Sequence, residues 1–477
     1  MSSTTQLSAK DRIINLLDEN SFVEVGALVT RRSTDFNMQQ KEVPSDGVIT
    51  GYGVIDGNPV YVYSQDTKAL NGSIGEMHAK KISNLYDLAI KVGAPVIGLV
   101  DCAGLRLEEA TDALAGFGDI YLKQSLASGV IPQITAIFGN CGGGSAVTAS
   151  LSDFVFMEEK NAKLFVNSPN AILGNNATKC DTSSATFMAE AGVVDFVKED
   201  EVSLLNSIRE LVMMLPSSNE DDASYDECSD SLNRLLSNLS SELDDVTLAL
   251  KELSDQHAFV EVKTTYAKEM VTGFIRLNGM TVGAIANRTE VLDDSGKAIE
   301  KFDNVLTSAG CYKAEKFVAF CDAFNIPILT LTNVSGYSAT MSDAKSISIA
   351  AAKLTYAFAN ATVPKVNVIT KKAFGSAYVT MNSKHIGADL VFALESAKIG
   401  TMDANLAAQI IYADHKEIQE QKAKEYDELQ QSAVAAAKRG YVDAIIESDS
   451  LRQNVIYAFE MLFTKRESRP SKKHGTV

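Results

Sequence analysis

Cysteine is scarce in this chain: there are six among 477 residues, and no two stand in a C-x-x-C pair. That leaves a structural zinc site or a redox dithiol without its ligands, and no metal site is expected. So few thiols in a long chain point to a reducing compartment. Long apolar runs are missing too. The best of them, such as Ala94-Pro-Val-Ile-Gly-Leu-Val100, fall well short of the roughly 20 residues that span a bilayer and read as buried strands. The opening residues lack the apolar core of a signal peptide, so a soluble, cytoplasmic protein is expected. Positive charge is in deficit. Lys and Arg number 44 against 61 Asp and Glu, a net charge of −17. A surface that acidic repels phosphate backbones and anionic lipid, so nucleic-acid binding and membrane insertion are not expected. A phosphorylated ligand would need a local basic patch. Also missing are the P-loop signature, a G-x-G-x-x-G opening an N-terminal β-α-β unit, and the G-x-S-x-G hydrolase elbow.

What is present is a globular composition, 45% hydrophobic and 22% charged, and an internal repeat. Ser21-Phe-Val-Glu-Val25 returns as Ala258-Phe-Val-Glu-Val262. Thr50-Gly-Tyr-Gly-Val-Ile-Asp-Gly57 returns as Thr272-Gly-Phe-Ile-Arg-Leu-Asn-Gly279, and each reads as a hairpin turning at Asp56-Gly57 or Asn278-Gly279. Pro95 and Pro327 open buried strands 232 residues apart, and Pro132 and Pro364 repeat that offset. Glycine turns follow, Gly139 to Ser145 and Lys371 to Ala377. Asp153-Phe-Val-Phe156 matches Asp389-Leu-Val-Phe392, and Gly192 and Asp195 match Gly440 and Asp443. Matches in one order, two at one offset, imply two copies of one fold. Apolar strands alternating with helical stretches make each copy α/β. The expected boundaries are 1–216 for the first copy, 217–256 for an acidic linker with a helix, and 257–477 for the second. The linker helix is expected over Leu232 to Leu253, where leucines recur at helical spacing. A second long helix is expected from Asp414 to Arg439, ending at Gly440, with its charges on a solvated face.

The chemistry points to two strand–glycine–helix junctions, Gly142-Gly143-Gly144-Ser145 and Gly375-Ser376-Ala377-Tyr378. The first N–H groups of a helix lack intrahelical acceptors, and the positive end of the dipole stands behind them. Two such groups can hold a carbonyl oxygen as it becomes an oxyanion. One such turn alone is more often tight packing; two at equivalent places favour a functional pair. Cys141 reads as a small buried thiol, and His78 as a hydrogen-bonding residue more than a base. Asp101 and Asn333 end equivalent strands and suit turn caps. Arg31-Arg32, Lys80-Lys81 and Lys371-Lys372 are either surface charge or a phosphate site.

These residues resemble the carboxyltransferase family of biotin-dependent acyl-CoA carboxylases and decarboxylases. The resemblance runs through Arg12 to Asp18, Ser64-Gln-Asp66, Gly72-Ser-Ile-Gly-Glu-Met-His-Ala-Lys-Lys-Ile82, Phe320 to Pro327, Ala361-Thr-Val-Pro-Lys365, Met381 to Phe392 and Thr464 to Gly475. It implies two tandem crotonase-like domains of the ββα superhelix type. It also implies that the N-terminal domain takes a coenzyme A thioester and the C-terminal domain takes biotin. The biotin would be carried by a partner, a biotin carboxyl carrier protein, since no Met-Lys-Met biotinylation site exists here. A biotin carboxylase or membrane decarboxylase subunits are further possible partners, and a homohexamer is the implied assembly. The family's oxyanion donors fall on Gly143 and Gly144 and on Ser376 and Ala377. Gly142, Gly375, Tyr378, Val379, Lys80 and Arg106 are the implied substrate-binding residues, with Val379 shaping a short-chain acyl pocket.

The implied reaction moves a carboxyl group between biotin and the α-carbon of a short-chain acyl-CoA, propionyl- or methylmalonyl-CoA foremost, through a thioester enolate. It needs no side-chain base. The sequence departs from the family at Asp101-Cys-Ala-Gly-Leu-Arg106, at Ser168 to Gly174, at Asn333-Val-Ser-Gly-Tyr337, and at Ser376, where the family has glycine. A serine there can present its N–H only if the local φ suits an L-residue. Three other readings stay open: a decarboxylase α-subunit running the reverse half-reaction, a non-catalytic scaffold, and a hydratase using Glu158 or Glu159.

Overall fold

The computed structural model describes residues 6–32, 43, 45–221, 227–293 and 295–477. The chain divides into two compact units, Met1–Ser224 and Tyr225–Val477. Each is built on an eight-stranded sheet, and the two sheets share one topology. In the first unit the strands run in the order Val23–Val25, Val48–Ile55, Asn58–Gln65, Val96–Cys102, Gln133–Gly142, Phe154–Glu158 and Phe196–Lys198. Lys163–Phe165 pairs with the far end of Gln133–Gly142. In the second unit the same order is Phe259–Val262, Met270–Leu277, Met280–Asn287, Ile328–Val334, Lys365–Phe374, Leu390–Leu394 and Ala444–Ile446, with Lys398–Gly400 beside Lys365–Phe374.

Both predicted hairpins form. Asp56 and Gly57 have φ of 49° and 80°, and Asn278 and Gly279 have 51° and 80°. Positive φ at both central residues is what a type I′ turn demands, and Asp-Gly and Asn-Gly supply it cheaply. The next strands are parallel and need helical crossovers. Glu76–Val92 and Ala110–Ala127 serve the first unit, and Ser308–Ala323 and Ile347–Asn360 the second. Val96–Cys102 and Ile328–Val334 are buried at every residue, so their uninterrupted apolar runs face helices or core on both sides.

The repeat extends to individual hydrogen bonds. Asp153 accepts the Gln133 N–H at 2.8 Å, and Asp389 accepts the Lys365 N–H at 2.8 Å. Asp195 accepts the Val155 N–H at 2.7 Å, and Asp443 accepts the Val391 N–H at 2.7 Å. The echoed aspartates are therefore braces at strand starts. Asp195→Ala should strip a buried amide of its charged acceptor and cost about 2 kcal/mol, read as a lower urea midpoint at unchanged m-value.

Two predicted helices are broken. Leu232 to Leu253 resolves into the short helices Leu239–Glu242 and Val246–Leu253, because Asp245 turns its side chain back to cap the second at Thr247. Leu236, Leu239, Leu243, Val246, Leu250 and Leu253 all lie in the core of the second unit. Residues 222–226 of the acidic stretch lie outside the described residues. The stretch from Asp414 to Arg439 is helical over Gln419–Tyr426, passes through one π-helical segment at Asp427–Gln431, and restarts as Ala433–Ala437. Ser432 causes the restart: it is extended, at φ −69° and ψ 149°, and its hydroxyl accepts the Ala435 N–H. Gly440 ends the segment at φ 78°, in the left-handed conformation expected of it.

Candidate active site

At the end of each central strand the sheet register shifts in the same way. Cys102 pairs with Cys141 in the first unit and Val334 with Ala373 in the second, again 232 residues apart. The chain then turns into a helix, Gly144–Leu151 or Gly375–Thr380. Gly143 and Gly375 make the turn at φ 59° and 65°, which an L-residue resists. Gly142 and Gly144 are needed for space. A Cβ on Gly142 would lie 2.9 Å from the Phe165 ring, and one on Gly144 would lie 3.0 Å from the Phe117 ring and the Tyr121 hydroxyl. That hydroxyl donates to the Gly144 carbonyl at 2.9 Å and holds the first turn in place.

Of the expected first pair, Gly143 and Gly144, Gly144 alone keeps its N–H without a backbone partner among the described residues. The Gly143 N–H donates to the Phe165 carbonyl at 2.9 Å, so the sheet edge already uses it. The N–H groups of Gly144 and Ser145 open the helix without an intrahelical acceptor. By strand register they correspond to Ser376 and Ala377, the pair expected in the second unit. Ser376 is not among the residues with positive φ, because Gly375 takes that strain. The serine is therefore compatible with a backbone donor. Its side chain is exposed, whereas Ala377 is buried.

Beside the second turn lies a cavity of about 440 Å³. Gly375, Ser376, Tyr378 and Val379 line it from the helix start, His385 from the short 3-10 helix Lys384–Ile386, Tyr441 from a loop, and Tyr426, Gln430 and Arg439 from the broken helical segment. The expected solvated face of that segment thus contributes a wall. Charge pattern alone concealed this, because the π-helical segment and Ser432 decide which side chains turn inward. The Tyr378 hydroxyl is buried without a hydrogen-bond partner among the described residues, and burial pushes it up to about 12.

The remaining candidates divide clearly. Lys80 is exposed. Lys81 is buried and spends its ammonium on the Ser45 and Val48 carbonyls, with desolvation lowering it to about 8. Arg106 is fully buried. It donates to Asp46 at 2.7 Å, Glu109 at 2.8 Å and the Ser73 carbonyl at 2.8 Å, so the structure commits this expected substrate contact to an internal network. Arg32 pairs with Glu76 and Asp112, and Lys371 with Asp244. Asp101 accepts the Asn140 N–H and Asn333 the Lys372 N–H, both at 3.3 Å, so they brace equivalent turns. Cys141 is buried, and desolvation drives its thiol far up, which leaves it inert. Glu158 is buried and accepts the Asn161 N–H at 2.6 Å, serving a turn, while Glu159 is exposed.

His78 is buried between Gln65 and Asp46, its Nδ1 2.9 Å from the Asp46 carbonyl oxygen. Desolvation, helped by the charge of Arg106, depresses it to about 3. An unfolded histidine binds its proton near pH 6.5, so between pH 6.5 and 3 the unfolded chain holds one more proton. This group's stability is fully present above pH 6.5 and lost at about 1.4 kcal/mol per pH unit on acidification. Urea melts of the wild type and His78→Gln across that range should differ in slope by about this amount.

A family profile described as "Carboxyl transferase domain" matches residues 3–477. The chain belongs to the carboxyl transferase family. It is 39% identical to the methylmalonyl-CoA decarboxylase subunit alpha of Propionigenium modestum, covering 99% of this chain and 93% of that one. It is 38% identical to the propionyl-CoA carboxylase beta chain of Roseobacter denitrificans, covering 99% and 94%. Among solved structures it superposes on transcarboxylase 12S, a hexamer described with hydrolysed methylmalonyl-coenzyme A bound, at a TM-score of 0.93 and 35% identity over 99% of this chain and 92% of that one. The carboxyltransferase is thus a pair of crotonase-like units and an enzyme of the biotin-dependent class. Among its described residues no helix is long and apolar enough to cross a membrane.

Proposed function

We propose that this carboxyltransferase moves a carboxyl group between biotin on a partner carrier protein and the α-carbon of a short-chain acyl-CoA, with propionyl- and methylmalonyl-CoA the leading pair. The observation that carries this is the doubled cradle: two helix starts in matching register, each offering two first-turn amides. Gly144 and Ser145 would hold the thioester oxygen as the enolate forms. Ser376 and Ala377 would hold the ureido oxygen of biotin, which supplies the carboxyl group when bound. The cavity beside Ser376 is lined by Tyr378, Val379, Ile399, Tyr426 and Tyr441, and its size and aromatic walls suit a small bicyclic urea. No side-chain base is required, in keeping with an inert Cys141, a buried His78 and a Glu158 held in a turn. The methylmalonyl-CoA and propionyl-CoA named for the relatives support a short acyl chain. The hexamer of transcarboxylase 12S supports a homohexamer here.

The P. modestum relative supports a second direction, in which the same half-reaction draws the carboxyl group off methylmalonyl-CoA within a decarboxylase complex. The test is carboxyl transfer from methylmalonyl-CoA to free biotin by the purified chain, with propionyl-CoA as the measured product. Turnover supports the enzyme; none with any short acyl-CoA favours a non-catalytic scaffold. Copurification of the native complex tells the directions apart, since a membrane decarboxylase subunit would select the second.

A further inference from the structure

Arg439 has an unusual setting for a chain this acidic. It lies on the wall of the second cavity, and no aspartate or glutamate lines that cavity. Its hydrogen bonds go to neutral acceptors: Nη1 donates to the Ala435 carbonyl at 2.9 Å and Nη2 to the Gln430 side-chain oxygen at 2.7 Å. No carboxylate among the described residues forms an ion pair with it. An arginine has five N–H donors, so those two bonds aim the fork without exhausting it.

The placement has an independent structural basis. Gln430 belongs to the π-helical segment Asp427–Gln431, and such segments often mark functional sites. Gln431, next in line, is pinned to the Met402 carbonyl, and Ser432 bridges to Lys398, so the bend is fixed to the neighbouring strand. An exposed, unneutralised guanidinium on the cavity wall, aimed by the Ala435 carbonyl and Gln430 and with no acid lining the cavity to compete, fits an oxygen anion with planar geometry.

We propose that Arg439 binds the carboxylate that is being transferred, as a site within the cavity assigned above to biotin. The inference rests on that assignment, and the shared chemistry is a carboxylate borne by either a urea nitrogen or an acyl carbon. Binding of methylmalonyl-CoA and propionyl-CoA is measured by titration calorimetry for wild type, Arg439→Gln and Arg439→Lys. In parallel, KM is measured for N-carboxybiotin and for propionyl-CoA in the carboxylating direction. If the acyl carboxylate is the ligand, Arg439→Gln lowers methylmalonyl-CoA affinity about tenfold or more and leaves propionyl-CoA unchanged. If the urea carboxylate is the ligand, the KM for N-carboxybiotin rises by that factor while the KM for propionyl-CoA does not. Arg439→Lys, which keeps the charge without the fork, should recover part of either effect. Equal losses for carboxylated and uncarboxylated ligands, or no loss in either arm, overturn the inference. A wild type that transfers carboxyl while Arg439→Gln matches it in both ratios overturns this site alone. A wild type that transfers nothing yet prefers methylmalonyl-CoA through Arg439 overturns the catalytic assignment and keeps the site.

Discussion

Replacing Ser376 with proline should lower kcat for carboxyl transfer by a factor of 10² to 10³, roughly 3 kcal/mol of transition-state stabilisation, while the protein stays folded. The substitution removes the amide hydrogen and the exposed hydroxyl and closes a ring onto the nitrogen. Ser376 is the second residue of the helix Gly375–Thr380, so its N–H has no place in the helical ladder. Proline belongs in the first turn for that reason. The residue before a proline avoids the right-handed helical region, and Gly375, at φ 65°, is already outside it. The new ring carbon would occupy the space into which the N–H points, beside an open cavity. Ser376→Ala and Ser376→Gly keep the amide and should stay close to wild type, because the donor is backbone and the hydroxymethyl group is exposed. The comparison of these variants is the decisive measurement. Alanine failing as badly as proline would move the function from the amide to the hydroxyl, and proline leaving kcat unchanged would remove this cradle from the mechanism.

The repeat made much of this architecture legible before any coordinates. A hairpin turn at Asn-Gly, a proline opening a buried strand, and an aspartate bracing the next strand are local devices, and local devices copy with the sequence. Asp153 and Asp389 could be matched by position because they do the same thing to Gln133 and Lys365. The site was legible only in outline. Both glycine turns could be placed, but which amide stays free depends on Phe165, 22 positions beyond Gly143 (143 and 165), whose strand returns to take the Gly143 N–H. No spacing rule reveals that. Arg106 stands in a motif position that suggested a substrate contact, yet Asp46, 60 positions earlier, claims it. The wall of the second cavity was hidden for a different reason. Gln419 to Arg439 has good helix formers throughout, and the restart at Ser432 is set by its cap and its bridge to Lys398 as much as by propensity.

Gly143→Ala tests the other cradle and should lower kcat about 10²-fold. Gly143 sits at φ 59° and ψ −124°, a conformation in which an L-residue is heavily strained. A Cβ there would meet nothing within 4 Å, so the penalty is conformational and not a clash. Strain of this kind costs about 1–3 kcal/mol where the surroundings hold the geometry. The surroundings here are one hydrogen bond to Phe165 and the Tyr121 hydroxyl on the Gly144 carbonyl. If the turn relaxes, the Gly144 and Ser145 amides rotate together, and both donors to the thioester oxygen lose their aim. If it holds, the strain appears as a lower melting temperature with kcat preserved. Tyr121→Phe separates the two, because it removes the brace without touching φ: combined with Gly143→Ala it should deepen the loss of kcat beyond the product of the single effects. A strictly multiplicative pair would show that the hydroxyl does not hold the turn, and a Gly143→Ala enzyme with full kcat and an unchanged melting temperature would mean the backbone there is not the catalytic element.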